Sequence, residues 1–296
     1  MFQRLLRPQN SLRTASSIFQ KPTSLPRFQT RNTHYLPSLA NGKYYAENGI
    51  PEFMSPEAFD FSWTQYQNLI IDKLNLLTQD TVDGELSTKE LLEKYAKRPE
   101  MASLFNYASM AHNNHFFFNC LAPTKTEMPE GFAAAVADTC SSVESLKLDF
   151  LATASAMFGP GFVWLAKNRE REGMLQILCT YNAGSPYPSA YARRQPVDMN
   201  TQSPDTAVGN QHAGSMGLHS HNSTTLAPGG LHIDPILCVN TWEHVWMMDY
   251  GIAGKDEYLE RWWNRINWDH VSETYNSSTT MRSNWAPMKF RSFNMS

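Results

Sequence analysis

Apolar side chains recur with helical spacing through the first half of the chain. Ser55-Pro56-Glu57 is typical of a helix start, because it combines a hydroxyl N-cap, a proline in the first turn and an acid near the positive end of the helix dipole. Ser87-Thr88-Lys89-Glu90 reads as the capping box of a second helix. Residues 101–120 and 129–158 are also predicted to be helical. The apolar positions of the first long helix are Phe59, Trp63, Tyr66, Leu69, Ile70, Leu74 and Leu77.

The pattern changes after residue 160. Residues 161–166 and 175–180 predict two strands joined by a charged turn at 167–173, and residues 235–239 predict a third strand. Residues 258–268 predict a further helix. Helices followed by a short antiparallel sheet with more helices indicate an α+β architecture.

Two polar segments do not fit these patterns. Residues 184–230 are rich in Ser, Pro, Gly, Asn, Thr and His, which predicts a long loop or disordered insertion between two strands. Residues 272–296 predict a polar tail, which is either solvated or a docking segment. We therefore expect the packed body to end near residue 271.

The composition is that of a packed protein. The chain has 296 residues, of which 42% are hydrophobic and 12% aromatic, enough to bury a sizeable core. No apolar run approaches the roughly 18 residues of a membrane span, so no membrane association is expected. The four cysteines are well separated in sequence, which predicts buried, reduced thiols and no zinc site.

The N-terminal segment has a different charge from the rest of the chain. Residues 1–33 contain six basic residues and no acidic ones, and they are rich in Ser, Thr and Gln. A leader of this kind is typical of a mitochondrial transit peptide, and we expect its removal near Arg31. The alternative is a disordered basic arm that binds nucleic acid.

Without this leader the chain is acidic. The full sequence carries 25 basic and 28 acidic residues, so the remainder has 19 basic against 28 acidic residues and a net charge of −9. Nucleic-acid affinity depends largely on Lys and Arg contacts with phosphates, so such a body is better suited to protein partners. Any contact with ribosomal RNA is expected to come from basic extensions.

Five short motifs, in order, resemble those of iron/manganese superoxide dismutases. The resemblance implies that family's fold, with an N-terminal helical hairpin at 34–124 and a C-terminal α/β domain with a short antiparallel sheet at 125–271. The motifs are His34-Tyr35-Leu36-Pro37-Ser38-Leu39, Asn119-Cys120-Leu121-Ala122-Pro123, Phe158-Gly159-Pro160-Gly161-Phe162-Val163-Trp164-Leu165, Trp242-Glu243-His244 and Trp263-Asn264-Arg265-Ile266-Asn267-Trp268.

The resemblance also identifies the positions at which the family holds its metal with three histidines and one aspartate. The matched residues here are Ser62, Asn114, Asn240 and His244, so one ligand of four remains. Asparagine is a poorer ligand than a carboxylate, and a single imidazole does not make a transition-metal site. His115 follows Asn114, but a helical step of about 100° directs its side chain elsewhere. We expect no metal, no cofactor and no dismutase activity.

The positions that surround the metal in the family are changed as well. Such outer groups orient the ligands and set the protonation of bound water. His212, His219 and His221 could chelate a metal, but they lie in the polar insertion, where nothing fixes their geometry. The matched outer positions are Ile70 for the gateway tyrosine, Tyr66 for a histidine, Ala183 for the outer-sphere glutamine and Met247 for the tyrosine of the partner subunit.

Glu243 and His244 persist although the ligands around them are lost. In the family this glutamate reaches across the dimer interface to the partner's ligand histidine. The resemblance therefore implies that Glu243 and His244 are candidate dimer-interface residues. The alternative is that both are packed and hydrogen-bonded within one chain.

A metal-free relative with a mitochondrial leader is similar to one known group, the dismutase-like proteins of the fungal mitochondrial small ribosomal subunit. Two paralogues of that group pair with each other. The resemblance implies a structural, non-catalytic role in mitochondrial translation in the matrix, with small-subunit ribosomal proteins and a dismutase-like paralogue as partners. The alternatives are an active matrix superoxide dismutase and a free, non-catalytic dimeric binding module.

Overall fold

The N-terminal half folds into helices, as the spacing of its apolar residues predicts. The structure is a computed structural model, and it describes residues 34–96, 98–169, 173–187, 190 and 233–280. The helices of this half are α1 (Gly42–Asn48), α2 (Pro56–Phe59), α3 (Tyr66–Thr78), α4 (Thr88–Tyr95) and α5 (Ala102–Asn119), with a π turn at Asp60–Gln65 and 3-10 turns at Val82–Glu85 and Pro99–Met101.

Both predicted helix starts are confirmed. The Ser55 hydroxyl accepts a hydrogen bond from the Ala58 N–H at 3.1 Å and caps α2. At α4, the Ser87 hydroxyl accepts from the Glu90 N–H and the Glu90 carboxylate accepts from the Ser87 N–H, which completes the capping box. Local hydrogen-bonding chemistry thus determines where these helices begin.

The buried face of α3 differs from the prediction by one residue. Gln67 and Thr78 are buried, whereas Leu69 and Leu77, two of the apolar positions at helical spacing, are 54% and 40% exposed. The π turn just before α3 inserts one residue into the helix, which rotates its buried face toward Gln67, Ile71 and Thr78, while Ile70 and Leu74 stay buried.

The C-terminal half contains the sheet and the remaining helices. The single helical stretch predicted at 129–158 forms two separate helices, and all three predicted strands are present. The elements are α6 (Glu130–Cys140), α7 (Val143–Ala156), β1 (Gly161–Asn168), β2 (Leu175–Tyr181), β3 (Ile233–Asn240), α8 (Glu243–Tyr250), α9 (Lys255–Trp263) and α10 (Trp268–Thr280).

Two predicted boundaries near the C-terminus are corrected by α10. The single helix expected at 258–268 is broken after Trp263, because Asn267 starts a new helix by accepting a hydrogen bond from the His270 N–H at 3.1 Å. The helix then runs to Thr280, into the segment predicted as a tail at 272–296. Val271 is fully buried and the Tyr275 ring packs on Phe132 with centroids 5.2 Å apart, which anchors this extension.

The sheet has the strand order β2-β1-β3 and is antiparallel throughout. β1 is the central strand and is buried along its whole length. Gly161, its first residue, lies opposite Tyr181 of β2. A Cβ atom at this position would lie 2.2 Å from the Thr180 carbonyl oxygen and 2.4 Å from Met157 Cε, so only glycine fits there. The end of β3 at Asn240 is thereby held beside the β1 start, opposite Phe162.

The helical half and the sheet share one hydrophobic core. α5, α7 and α10 pack on the sheet, and a smaller apolar cluster fills the space between α3, α4 and α5. Backbone hydrogen bonds also join the halves: the Ala122 N–H donates to the Arg265 carbonyl, and the Asn267 N–H donates to the Cys120 carbonyl, each at 2.8 Å. The small cluster consists of Leu74, Leu91, Leu92, Tyr95, Leu104, Ala108 and Tyr187.

The start of the predicted insertion is part of the packed body. Tyr187 is buried, and its hydroxyl lies 2.8 Å from His112 Nε2, so residues 184–187 do not belong to a free loop. Most of the predicted insertion at 184–230 and the predicted transit peptide at 1–33 lie outside the described residues. Cys120 and Cys238 are buried thiols, and Cys140 and Cys179 are partly buried thiols. Within the described ranges, every helix is too short or too polar to cross a membrane.

Candidate functional site

The fold brings three of the four former ligand positions together. Ser62 lies in the π turn, Asn114 in α5 and Asn240 at the end of β3, and all three are fully buried. His244 lies in the first turn of α8 and is partly buried. The helical half therefore supplies two of these positions and the sheet domain supplies the other two.

A directional chain of side-chain amides occupies this site. Gln67 Nε2 donates to the Ala111 carbonyl at 2.9 Å, and Gln67 Oε1 accepts from Asn114 Nδ2 at 3.0 Å. Asn114 Oδ1 accepts from Asn240 Nδ2 at 3.3 Å, and Asn240 Oδ1 accepts from the Trp242 N–H at 2.9 Å. We call Gln67, Asn114 and Asn240 the amide relay.

Ser62 is attached to the relay through its backbone. Its carbonyl accepts a second hydrogen bond from Asn114 Nδ2 at 3.2 Å. Its hydroxyl donates to the Ala58 carbonyl at 2.6 Å, one helical turn earlier. The side chain that replaces the first ligand thus bonds to its own helix and is not free to coordinate a cation.

The residues at this site do not fit the metal that the family implies. The relay contains neutral amides, which are weak ligands for iron or manganese compared with imidazole and carboxylate. Each of its three oxygen atoms already accepts a hydrogen bond from the protein. The described ranges contain no group of three or more His, Cys, Asp and Glu side chains that could hold a metal ion.

The Glu243–His244 corner is the opposite of the relay in its hydrogen bonding. Burial lowers the pKa of His244 to about 4, so the imidazole is neutral near pH 7. Its Nε2 atom and the indole Nε1 of Trp242 are buried without a hydrogen-bond partner. Among the described residues, no hydrogen bond or ion pair is made by the Glu243 carboxylate. The start of α8 thus holds two buried ring nitrogens without hydrogen-bond partners, next to the partly buried Glu243.

Of the matched outer positions, Tyr66 is in ring contact with His244. The Tyr66 ring lies against the His244 ring with centroids 4.0 Å apart, and burial raises the pKa of the Tyr66 hydroxyl to about 12. Ile70 is buried in the core, Ala183 is partly buried and Met247 is 37% exposed. Of these four side chains only Tyr66 is polar, and its hydroxyl stays protonated near neutral pH.

The other histidines considered from the sequence do not join the site. His115 lies 2.9 Å from Asn119 Nδ2 through its Nε2 atom and packs near the Trp63 ring, so it is directed away from the relay as predicted. His212, His219 and His221 lie outside the described residues.

Gln67 is the one member of the relay that the sequence analysis missed. A signal was present, because Gln67 lies four residues after Trp63 and four before Ile71, both of which are buried. A polar residue on the apolar face of a helix indicates a buried hydrogen bond.

The fold and the relay define a class of protein: a dismutase fold in which neutral, hydrogen-bonded side chains replace the metal ligands. Residues 128–198 and 210–274 match the family model of iron/manganese superoxide dismutases, C-terminal domain. The chain is 30% identical over 256 residues to the small ribosomal subunit protein mS43 of Schizosaccharomyces pombe, with 83% of this chain and 86% of that protein covered.

The chain is also similar to bacterial iron enzymes. It is 26% identical over 231 residues to a superoxide dismutase [Fe] of Helicobacter pylori, covering 78% of this chain and 85% of that enzyme. It is 28% identical over 230 residues to the superoxide dismutase [Fe] of Escherichia coli K12, covering 77% and 93%. The chain belongs to the iron/manganese superoxide dismutase-like family.

Proposed function

We propose that this chain is a structural, non-catalytic protein of the mitochondrial small ribosomal subunit and acts in mitochondrial translation. The observation that carries the proposal is the amide relay, since an intact dismutase fold without metal donors is a scaffold and not a redox site. The similarity to mS43 over most of both chains supports the ribosomal assignment.

The similarity to iron superoxide dismutases does not favour catalysis. Redox cycling of superoxide needs a coordinated metal, and the relay offers neutral amides whose oxygens are already bonded. Asn240 matches the family's aspartate ligand, and a single substitution restores that carboxylate.

Asn240→Asp alone is expected to leave the chain without dismutase activity and without bound metal, because Ser62 and Asn114 still replace two ligands. Metal analysis and a dismutation assay of the purified variant, with wild type as the control, measure this. Stoichiometric iron or manganese, or measurable dismutation, would show that the ligand positions are wrongly assigned.

A mitochondrial location follows from the same proposal. The basic, acid-free residues 1–33 have the composition of a transit peptide. We propose that the mature chain acts in the matrix after this leader is removed near Arg31. Sequencing the N-terminus of the mature protein tests this, and an intact Met1 contradicts it.

We further propose that the chain pairs with a dismutase-like paralogue through the corner around Glu243 and His244. Phe158 beside this corner is 95% exposed and Tyr181 is 52% exposed, so an apolar rim adjoins the unpaired carboxylate. The segment that follows Phe158 lies beside the ends of β2 and β3. The Asn182 N–H donates to the Pro160 carbonyl, and the Thr241 hydroxyl donates to the Gly161 carbonyl.

Protein contacts are favoured over RNA contacts for the folded body. Its net charge without residues 1–33 is −9, which opposes binding to phosphates. Any ribosomal RNA contact is proposed to come from basic extensions of the chain.

Sedimentation of the tagged full chain from lysed mitochondria tests the ribosomal assignment. We expect co-migration with the small ribosomal subunit on a sucrose gradient, persisting in moderately high salt. Migration at the size of a dimer near the top of the gradient would contradict it and would indicate a free binding module.

A further inference from the structure

We propose that the amide relay is a positioning device: it replaces the metal as the link between α3, α5 and β3, and it fixes the start of α8 so that the partly exposed Glu243 faces a partner protein. The claim that the relay fixes the start of α8 depends only on contacts within this chain. The partner part rests on the proposed function.

The relay joins segments that are far apart in sequence. Gln67 and Ala111 are 44 residues apart, Gln67 and Asn114 are 47 apart, and Asn114 and Asn240 are 126 apart. The three amide side chains are fully buried. A hydrogen bond broken here leaves polar atoms without water, so the bonds resist opening more than exposed ones do.

The direction of the relay is fixed at both of its ends. The Ala111 carbonyl can only accept, so the amide nitrogen of Gln67 must face it and the oxygen must face Asn114. The Trp242 N–H can only donate, so the oxygen of Asn240 must face it. Each amide therefore has one orientation that satisfies the whole chain of bonds.

The last bond of the relay sets the path of the backbone into α8. Asn240 Oδ1 accepts from the N–H two residues later, which is an Asx turn, and Trp242 is the N-cap residue of α8. The Asn240 carbonyl also accepts from the Tyr258 hydroxyl at 2.7 Å, so this corner is held from α9 as well. Glu243 directly follows Trp242, so this turn sets the direction in which the backbone reaches Glu243.

The deciding experiment measures hydrogen exchange of the Trp242 backbone amide in the full chain labelled with ¹⁵N-tryptophan. Gln67→Leu removes the far end of the relay without touching Trp242. We expect exchange at Trp242 to accelerate about fivefold, the loss of one hydrogen bond of ordinary strength, with the amides of Trp164 and Trp262 unchanged. If Gln67 contributed only to global stability, its replacement would not accelerate exchange at Trp242 selectively.

Asn113→Ala is the matched control. Asn113 is equally buried on α5 and donates to the Gly184 carbonyl at 2.8 Å, outside the relay. It should leave Trp242 exchange unchanged. If Gln67→Leu does not fold, Gln67→Met, which is closer to glutamine in shape and also removes both relay bonds, takes its place, and the same acceleration of about fivefold is expected. Equal exchange at Trp242 in wild type and the Gln67 variant used would overturn the inference.

The partner part is tested by sedimentation of the same variants from mitochondria. Gln67→Leu, or its replacement, should lose most of its co-migration with the small ribosomal subunit, while Asn113→Ala retains it. Full co-migration of a Gln67 variant that exchanges faster at Trp242 would overturn the link to the interface. Failure of the wild type to co-migrate would instead contradict the proposed function, and that result is distinguishable because Trp242 exchange does not depend on it.

Discussion

Two polar groups of residues lie on either side of Thr241, and they differ in how their hydrogen-bonding capacity is used. The amide relay ends at Asn240, is fully buried and has each of its oxygens bonded within the chain. The Glu243–His244 corner begins three residues after Asn240, and in the described ranges His244 Nε2 and the neighbouring Trp242 Nε1 are buried without hydrogen-bond partners. The relay serves the fold, and the corner is available for recognition.

The difference shows what remains when a metal site is lost. A buried polar group must be bonded or it destabilises the fold, so the ligand positions inside the core became a closed set of amides. At the corner Glu243 is partly exposed, whereas His244 Nε2 and Trp242 Nε1 are buried and carry that penalty in the isolated chain. The fold therefore combines a hydrogen-bonded interior at the relay with an adjoining turn in which two buried ring nitrogens are unbonded.

The largest expected change in stability comes from a substitution in the amide relay. Asn114→Ala removes bonds to Ser62, Gln67 and Asn240 and leaves their buried polar atoms unpaired. We expect the free energy of unfolding to fall by about 3 kcal/mol, measured by urea denaturation. The control Asn113→Ala should lower it by about 1 kcal/mol. If both variants lost the same free energy of unfolding, the relay would contribute no more to stability than the hydrogen bond of Asn113.

An acid titration should act on the histidines and leave the relay amides unchanged. Burial lowers the pKa of His244 to about 4 and, helped by the nearby Lys89 charge, that of His112 to about 3, while the unfolded value is about 6.5. The unfolded chain therefore binds more protons, and stability that is present above pH 6.5 is lost as the pH falls toward 4. Each histidine contributes up to about 1.4 kcal/mol per pH unit.

Urea denaturation between pH 4 and pH 7.5 measures this slope. We expect His244→Gln and His112→Gln each to reduce it, and Gln67→Leu to leave it unchanged, because amides do not titrate in this range. A slope that His244→Gln does not alter would show that the His244 imidazole is not held neutral in the folded chain.

The smallest expected effect on stability is at the corner itself. Glu243 is partly exposed, makes no hydrogen bond in the described ranges and acts only through its charge on the partly exposed Lys255, so Glu243→Gln should change the free energy of unfolding by less than about 0.5 kcal/mol. The same variant should migrate less completely with the small ribosomal subunit on a sucrose gradient in high salt, with Glu144→Gln on α7 as the control. A loss of 2 kcal/mol or more in the isolated chain would assign Glu243 to the fold and remove the distinction between the two groups.

The sequence by itself determined the elements whose signals are local. Helix starts at Ser55 and Ser87 follow from capping chemistry, and the three strands follow from short apolar runs bounded by turns. The order of the motifs was sufficient to predict the α+β dismutase fold. The same motifs predict the replacement of ligands at Ser62, Asn114 and Asn240.

Only the tertiary structure decided how those replacements are used. One residue inserted at the π turn moved the buried face of α3, which exposed Leu69 and Leu77 and brought Gln67 into the site. Burial of Tyr187 and of α10 beyond residue 271 likewise depends on partners distant in sequence. Local patterns determine where helices and strands form, but the pairing of buried polar groups depends on which distant segments meet in the core.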